Sequence, residues 1–161
     1  MEAVLGISPG TRTVGLAVLH GTLTEYRIRR FPGRWSEQKA RKIITAIETL
    51  IDTHSITRVS CKVNHPSRRS ANLDMLTEGI IKLCKRKGVK VRLYTLKNIY
   101  NHTHGRTVES RYINKRMLME KLVSRYPILG REQLREHSNK HPYHVKIFEA
   151  VALADMNKNP L

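Results

Sequence analysis

Val4-Leu5-Gly6-Ile7-Ser8-Pro9-Gly10-Thr11-Arg12, followed at once by Val14-Gly15-Leu16-Ala17-Val18, is the stretch on which the reading of this chain turns. Ala3 to Ile7 reads as a short buried strand. Ser8-Pro9-Gly10-Thr11 reads as a turn, because proline and glycine interrupt both helix and strand. Val14 to Leu19 resumes as a strand, with Val14, Leu16 and Val18 in alternation. Gly21-Thr22 turns the chain again, and Leu23 to Phe31 makes a third strand that is polar on one face. The opening is a three-stranded meander.

Beyond it the apolar period changes. Ser36 to His54 reads as a helix that Ser36 can cap, with Ile43, Ile44, Ile47, Leu50 and Ile51 forming one stripe. Arg58 to Val63 is a strand, His65 to Ser70 a basic loop, Ala71 to Lys87 a helix ended by Gly88, and Val89 to Tyr94 a strand. This alternation predicts parallel strands joined by helical crossovers. Thr95 to Thr107 reads as polar and irregular. Glu109 to Tyr126 reads as a helix stopped by Pro127, Gly130 to His141 as a polar insertion with short helical character, and Tyr143 to Asn157 as the last helix. The order predicts an α/β fold: a mixed five-stranded sheet, three strands antiparallel and then parallel ones, with helices on both faces. A chain of 161 residues fits one such domain, spanning 1–161.

Charge narrows the function classes. Thirty Lys and Arg face thirteen Asp and Glu, a formal net charge of +17. A domain this basic attracts polyanions, and nucleic acid is the expected partner. A membrane surface fits less well, since no strongly amphipathic basic helix carries Trp or Phe on its apolar face. No stretch reaches the ~20 apolar residues of a membrane span, and no basic segment followed by an apolar run suggests a secretory signal. Cys61 and Cys84 form no CxxC pair and read as reduced core thiols of a cytoplasmic protein. His102-x-His104 and His137-x₃-His141-x₂-His144 have spacings that zinc can use, but no Cys joins them, and no metal or other cofactor is expected there.

Three antiparallel strands followed by alternating helices and parallel strands is the element order of the ribonuclease-H-like fold. The opening stretch resembles that of RuvC-type Holliday-junction resolvases, where the first strand ends in a metal-binding Asp followed by a Pro-Gly or similar turn. The other end agrees: Phe148-Glu149-Ala150-Val151-Ala152-Leu153-Ala154 resembles the family's last helix, where a carboxylate is followed by small and aliphatic residues. The resemblance implies DNA binding, branched DNA included, in preference to RNA, and a homodimer. It also implies a site in which four carboxylates hold two Mg²⁺ ions for phosphodiester hydrolysis, hard cations requiring oxygen ligands.

Position by position, the acids are missing. The first expected Asp falls on Ser8. The Glu expected at the end of the fourth strand falls on Ser60 or Lys62, two alignments that both remain open. The first of two acids on the last helix falls on Lys146, and Glu149 alone is retained. Two readings follow. Lys62 and Lys146 either occupy the metal space and pair with Glu149, making a fixed positive pocket that holds phosphate without cleaving it, or are solvated lysines near a surface acid. A catalytically degenerate nucleic-acid-binding protein is therefore expected. The alternatives are an active structure-selective endonuclease with an altered, Mg²⁺-dependent site and a basic interaction module, for instance on ribosomal RNA or within a recombination complex. Candidate nucleic-acid contacts are Arg12 beside the first turn, Arg68 and Arg69 before a helix N-terminus, Lys97 and Arg106 in the irregular stretch, and Arg111 and Lys115 beyond it. Lys85-Arg86-Lys87 is favoured at a helix C-terminus in any case. Arg27, Arg29 and Arg30 either add to the basic patch or blunt a sheet edge.

Overall fold

The computed structural model describes residues 2–68, 70–104, 114–138 and 145–158. Five strands, β1 (Ala3–Ser8), β2 (Thr13–His20), β3 (Thr22–Arg30), β4 (Ile56–Lys62) and β5 (Lys90–Tyr94), form one sheet in the order β3-β2-β1-β4-β5. The β1/β2 and β2/β3 pairs are antiparallel, while β1/β4 and β4/β5 are parallel. The expected mixed sheet is therefore present.

Alternation along the strands divides the core in two. Leu5, Ile7, Leu16, Val59 and Cys61 point to the face covered by α1 (Glu37–His54) and α2 (Ala71–Lys87). Cys61 and Cys84 are free and buried there, and loss of water pushes both thiols above their ordinary value. Val4, Ala17 and Leu19 point to the opposite face, covered by α3 (Leu96–His104), α4 (Lys115–Arg125) and α6 (Val145–Lys158). A short helix, α5 (Gly130–Ser138), follows a 3₁₀ turn at Pro127–Leu129. Ser36 caps α1, Ser70 caps α2, and Gly88 closes α2 in the left-handed conformation. No helix among the described residues is long and apolar enough to cross a membrane.

Two expectations are corrected. The stretch after β5 is not irregular throughout, because Leu96–His104 is helical. Thr95 and Asn98 cap its start reciprocally: Asn98 Oδ1 accepts from the Thr95 N–H at 2.9 Å, and Thr95 Oγ1 from the Asn98 N–H at 3.3 Å. Ile99 and Thr103, one turn apart, are buried beneath it. The following helix begins at Lys115 rather than Glu109, because Asn114 is extended and its side chain accepts from the Met117 N–H at 3.0 Å. Residues 105–113 and Tyr143 lie outside the described residues.

Helix α6 is apolar nearly all round, as a helix buried on every side must be. It lies across β1, β2 and β4 and touches α3 and α4. The sheet admits it closely at two glycines. A Cβ on Gly6 would stand 1.9 Å from the Ala150 carbonyl oxygen, and one on Gly15 2.3 Å from that of Lys146. Near the far end of α6, Asp155 is buried among polar partners from α3, α4 and the residue after α4. Its Oδ1 accepts from Tyr126 Oη at 2.6 Å, and its Oδ2 faces His102 Nε2 at 3.1 Å and the Arg125 guanidinium. Asp155 is therefore a structural anchor between α6 and its neighbours. Burial opposes its ionisation, but the His102 and Tyr126 hydrogen bonds and the Arg125 charge outweigh that and hold its carboxyl below the ordinary value.

Three outcomes follow for unfolding in urea followed by circular dichroism. Gly6→Ala must lift α6 from the sheet and should cost about 3 kcal/mol or more. Gly130→Ala, at a helical position (φ −56°, ψ −38°) with nothing near the new Cβ, should gain about 0.5 kcal/mol. Asp155→Asn should cost about 2–3 kcal/mol at neutral pH, the range for removing a charged hydrogen-bond acceptor. A depressed folded value means that this stabilisation is complete above the unfolded value near 3.8 and lost as pH falls through the folded one. The gap between Asp155→Asn and the parent should therefore close in acid; a gap unchanged down to pH 2 would refute the assignment.

Candidate nucleic-acid interface

Because β1, β4 and β5 run parallel, Ser8, Lys62 and Tyr94 end at one edge of the sheet, with Lys62 registered against Tyr94. Grooves beyond the carboxyl ends of parallel strands are where open α/β sheets place ligands. Alternation sends Ser8 and Lys62 to the α6 face, since their neighbours Ile7 and Cys61 serve the other core. The first turns of α6 are held against this edge by the Gly15 contact, which carries Lys146 and Glu149 to the same place.

The four residues meet there. Glu149 is 6% exposed, and its Oε1 accepts from Ser8 Oγ at 2.7 Å and from Lys62 Nζ at 3.0 Å. Lys146 does not pair with Glu149. Its ammonium donates to the Pro9 carbonyl at 3.3 Å and lies over Gly10, where a Cβ would stand 2.8 Å from Nζ. Burial pushes the Lys146 pKa below its ordinary value, and Lys62 pushes the same way against the attraction of Glu149. Two ammonium groups and one carboxylate leave a net positive charge at a largely desolvated spot.

Of the two residues at the end of β4, Lys62 reaches Glu149, while Ser60 is fully buried beside Gly6 with an unpartnered Oγ. Tyr100 on α3 also belongs to the neighbourhood. Burial raises its pKa first, and the negative charge of Glu149 raises it further. Nothing in the sequence links Tyr100 to Glu149. The Thr95/Asn98 cap was the signal that could have put Tyr100 on a helix.

A pair of hard divalent ions does not fit this donor set. Such ions need several anionic oxygens, whereas the site has one carboxylate whose Oε1 already accepts from an ammonium and a hydroxyl. Nor do three His, Cys, Asp or Glu side chains converge elsewhere among the described residues. His102, half of one zinc-like spacing, is engaged with Asp155.

Three of the other expected contacts, Arg12, Arg68 and Lys97, follow strands that end at this edge. Arg12 is exposed in the turn after β1, and Arg68 is exposed at the end of the 3₁₀ turn Pro66–Arg68 after β4. Lys97 is exposed on α3 just after β5, on a helix rather than in a loop. Lys115 opens α4. Arg69, Arg106 and Arg111 lie outside the described residues. By contrast, Arg86 and Lys87 are engaged with Glu48 and Asp52 across the α1/α2 surface, as the structural reading of that basic run expects.

No protein-family model and no curated protein matches the sequence. Solved structures do. Thermus thermophilus RuvC in complex with a Holliday junction substrate aligns with a TM-score of 0.71 at 15% identity, over 96% of this chain and 90% of that one. A second T. thermophilus RuvC structure gives 0.70 at 18% identity, over 94% and 90%. Fowlpox virus resolvase, solved with its substrate Holliday junction DNA, gives 0.63 at 11% identity, over 96% and 95%. Identities this low speak for architecture alone, and the architecture is the ribonuclease-H-like α/β fold that these resolvases have.

Proposed function

We propose that this protein is a RuvC-like DNA-binding domain, cytoplasmic as its free thiols suggest and homodimeric as the resemblance implies, that holds DNA, branched DNA included, without hydrolysing it. The observation that carries the reading is the Lys62 ammonium 3.0 Å from Glu149 Oε1, at the place where a nuclease of this fold needs a cation held by carboxylates. An ammonium supplies positive charge to a phosphate oxygen. It cannot lower the pKa of a bound water or bridge the attacking and leaving oxygens as paired metal ions do. Lys146, poised over the first turn with no direct acid partner among the described residues, is the cation left to meet a phosphate. The net charge of +17 and the basic residues along the same edge support a polyanionic partner. The solved relatives bound to Holliday junctions support DNA as that partner.

A labelled four-way DNA junction tests both halves of the proposal. A gel shift without metal should show salt-sensitive binding that favours the junction over duplex. Incubation with Mg²⁺ or Mn²⁺ should leave the strands intact. Symmetric cleavage abolished by Glu149→Gln would instead establish the active endonuclease.

The two lysines should separate cleanly in a variant series. Lys146→Gln unpairs no acid, so it should lower junction affinity about tenfold, or ~1.4 kcal/mol, with little change in Tm. Lys62→Met strands the Glu149 carboxylate and should destabilise the fold by about 3 kcal/mol. The double variant Lys62→Met/Glu149→Gln should recover most of that loss. Additive losses in the double variant would show that the pair is not coupled.

A further inference from the structure

A cleft of about 880 Å³ lies away from the Glu149 edge, on the other face of the sheet, between β3 and α1. It arises from a mismatch between strand and helix. β3 turns Glu25, Arg27 and Arg29 toward the α1 face, since Arg27 is registered against Leu16 of that core. Charged side chains cannot be packed under a helix as apolar ones would be, so the space between the edge strand and α1 stays open.

The cleft is strongly cationic. Glu25 is the one acid among its lining residues, and it is already engaged by His54 Nε2 at 2.6 Å and by the Arg27 guanidinium. Arg41 is drawn toward Glu37 at 3.7 Å. Arg29, Arg30, Arg34, Lys39 and Lys42 have no acid partner among the described residues. Lys39 is the telling one. It is 6% exposed, and its ammonium donates to a single acceptor, the Gly33 carbonyl, at 2.7 Å. A buried ammonium with donors to spare and no counter-charge is costly unless an anion completes it.

We propose that the β3–α1 cleft is a second nucleic-acid site, which grips the phosphodiester backbone of a DNA segment other than the one at the Glu149 edge. This rests on the preceding reading only in taking DNA as the ligand. Arg29 on β3, Arg34 in the connection between strand and helix, and Lys42 on α1 all line the cleft. Planar guanidinium forks suit phosphate oxygens, and the engaged Glu25 presents no free carboxylate to repel them. With one contact surface on each face of the sheet, a single chain can hold two arms of a branched molecule.

The test is the salt dependence of four-way-junction binding by the full chain, measured by fluorescence anisotropy for three variants. The cleft variant Arg29→Gln/Arg34→Gln/Lys42→Gln changes exposed side chains. A control variant, Lys82→Gln/Lys85→Gln/Lys90→Gln, removes the same charge from α2 and β5. The third is Lys146→Gln. The cleft variant should lose at least tenfold in affinity, and its slope of log K against log salt should flatten by about 2–3, roughly 0.9 per lost phosphate contact. The control should change both far less. Equal effects of cleft and control variants would overturn the second site, whatever Lys146→Gln does, because mere net charge would then explain them. A cleft variant that loses binding beside a Lys146→Gln that binds like the parent would keep the cleft and remove the Glu149 edge as a DNA surface. A parent that binds no junction would overturn both. Binding of an acidic peptide that the cleft variant alone abolishes, with junction binding untouched, would assign the cleft to a protein partner and overturn the nucleic-acid proposal.

Discussion

The close seating of α6 on the sheet is the constraint from which the rest follows. At Gly6 and Gly15 there is no room for even a methyl group between strand and helix backbone. That contact sets the height and rotation of α6, which buries ten of its residues between sheet and flanking helices. It also carries Glu149 and Lys146 to the carboxyl edge of β1 and β4. Ser8 can donate across 141 residues of sequence to Glu149 only because the helix cannot stand further away. The two glycines in the opening stretch are thus requirements of packing more than of turn geometry, and they tie the first strands of the chain to its last helix.

At that edge, electrostatics decides what the fold can be used for. A carboxylate this buried needs a counter-charge, and the choice lies between metal ions and basic side chains. Here Lys62 serves, and the remaining ammonium, Lys146, is kept desolvated and repelled by its neighbour. On the proposed reading, such a pair leaves the charge pattern of a phosphate-binding site in place while removing the groups that would activate water. At the other end of α6, Asp155 faces the same problem and solves it with Arg125, Tyr126 and His102. The difference is that its partners close the site off with a tyrosine and an arginine from neighbouring elements, which stiffens the junction of α3, α4 and α6 without leaving an unpaired cation.

Much of this was legible in the sequence, for identifiable reasons. The strand-turn-strand opening declares itself because Pro9 and Gly10 interrupt a period-two pattern that Val14, Leu16 and Val18 resume. Convergence of Ser8, Lys62, Lys146 and Glu149 was legible only through the resemblance, since contacts over such separations leave no local pattern. What escaped was governed by side-chain-to-backbone bonds. The Leu96–His104 helix carries few apolar residues, and its start is set by the Thr95/Asn98 cap. The start of α4 at Lys115 depends on Asn114, a residue equally at home in a loop.

The basic residues of β3 show why composition and placement have to be read together. In sequence, an arginine row on an edge strand has a sufficient explanation in discouraging strand-to-strand aggregation. That explanation needs only exposed charge and predicts nothing of α1. Yet the helix wall opposite is basic as well, and Lys39 is buried in it against a single carbonyl. Edge protection does not require a buried lysine, and solubility is served better by cations in water than by one withdrawn from it. An anion shared between strand and helix accounts for the whole arrangement: the charged row on a face that would otherwise be covered, the open cleft this creates, and the buried ammonium in its lining.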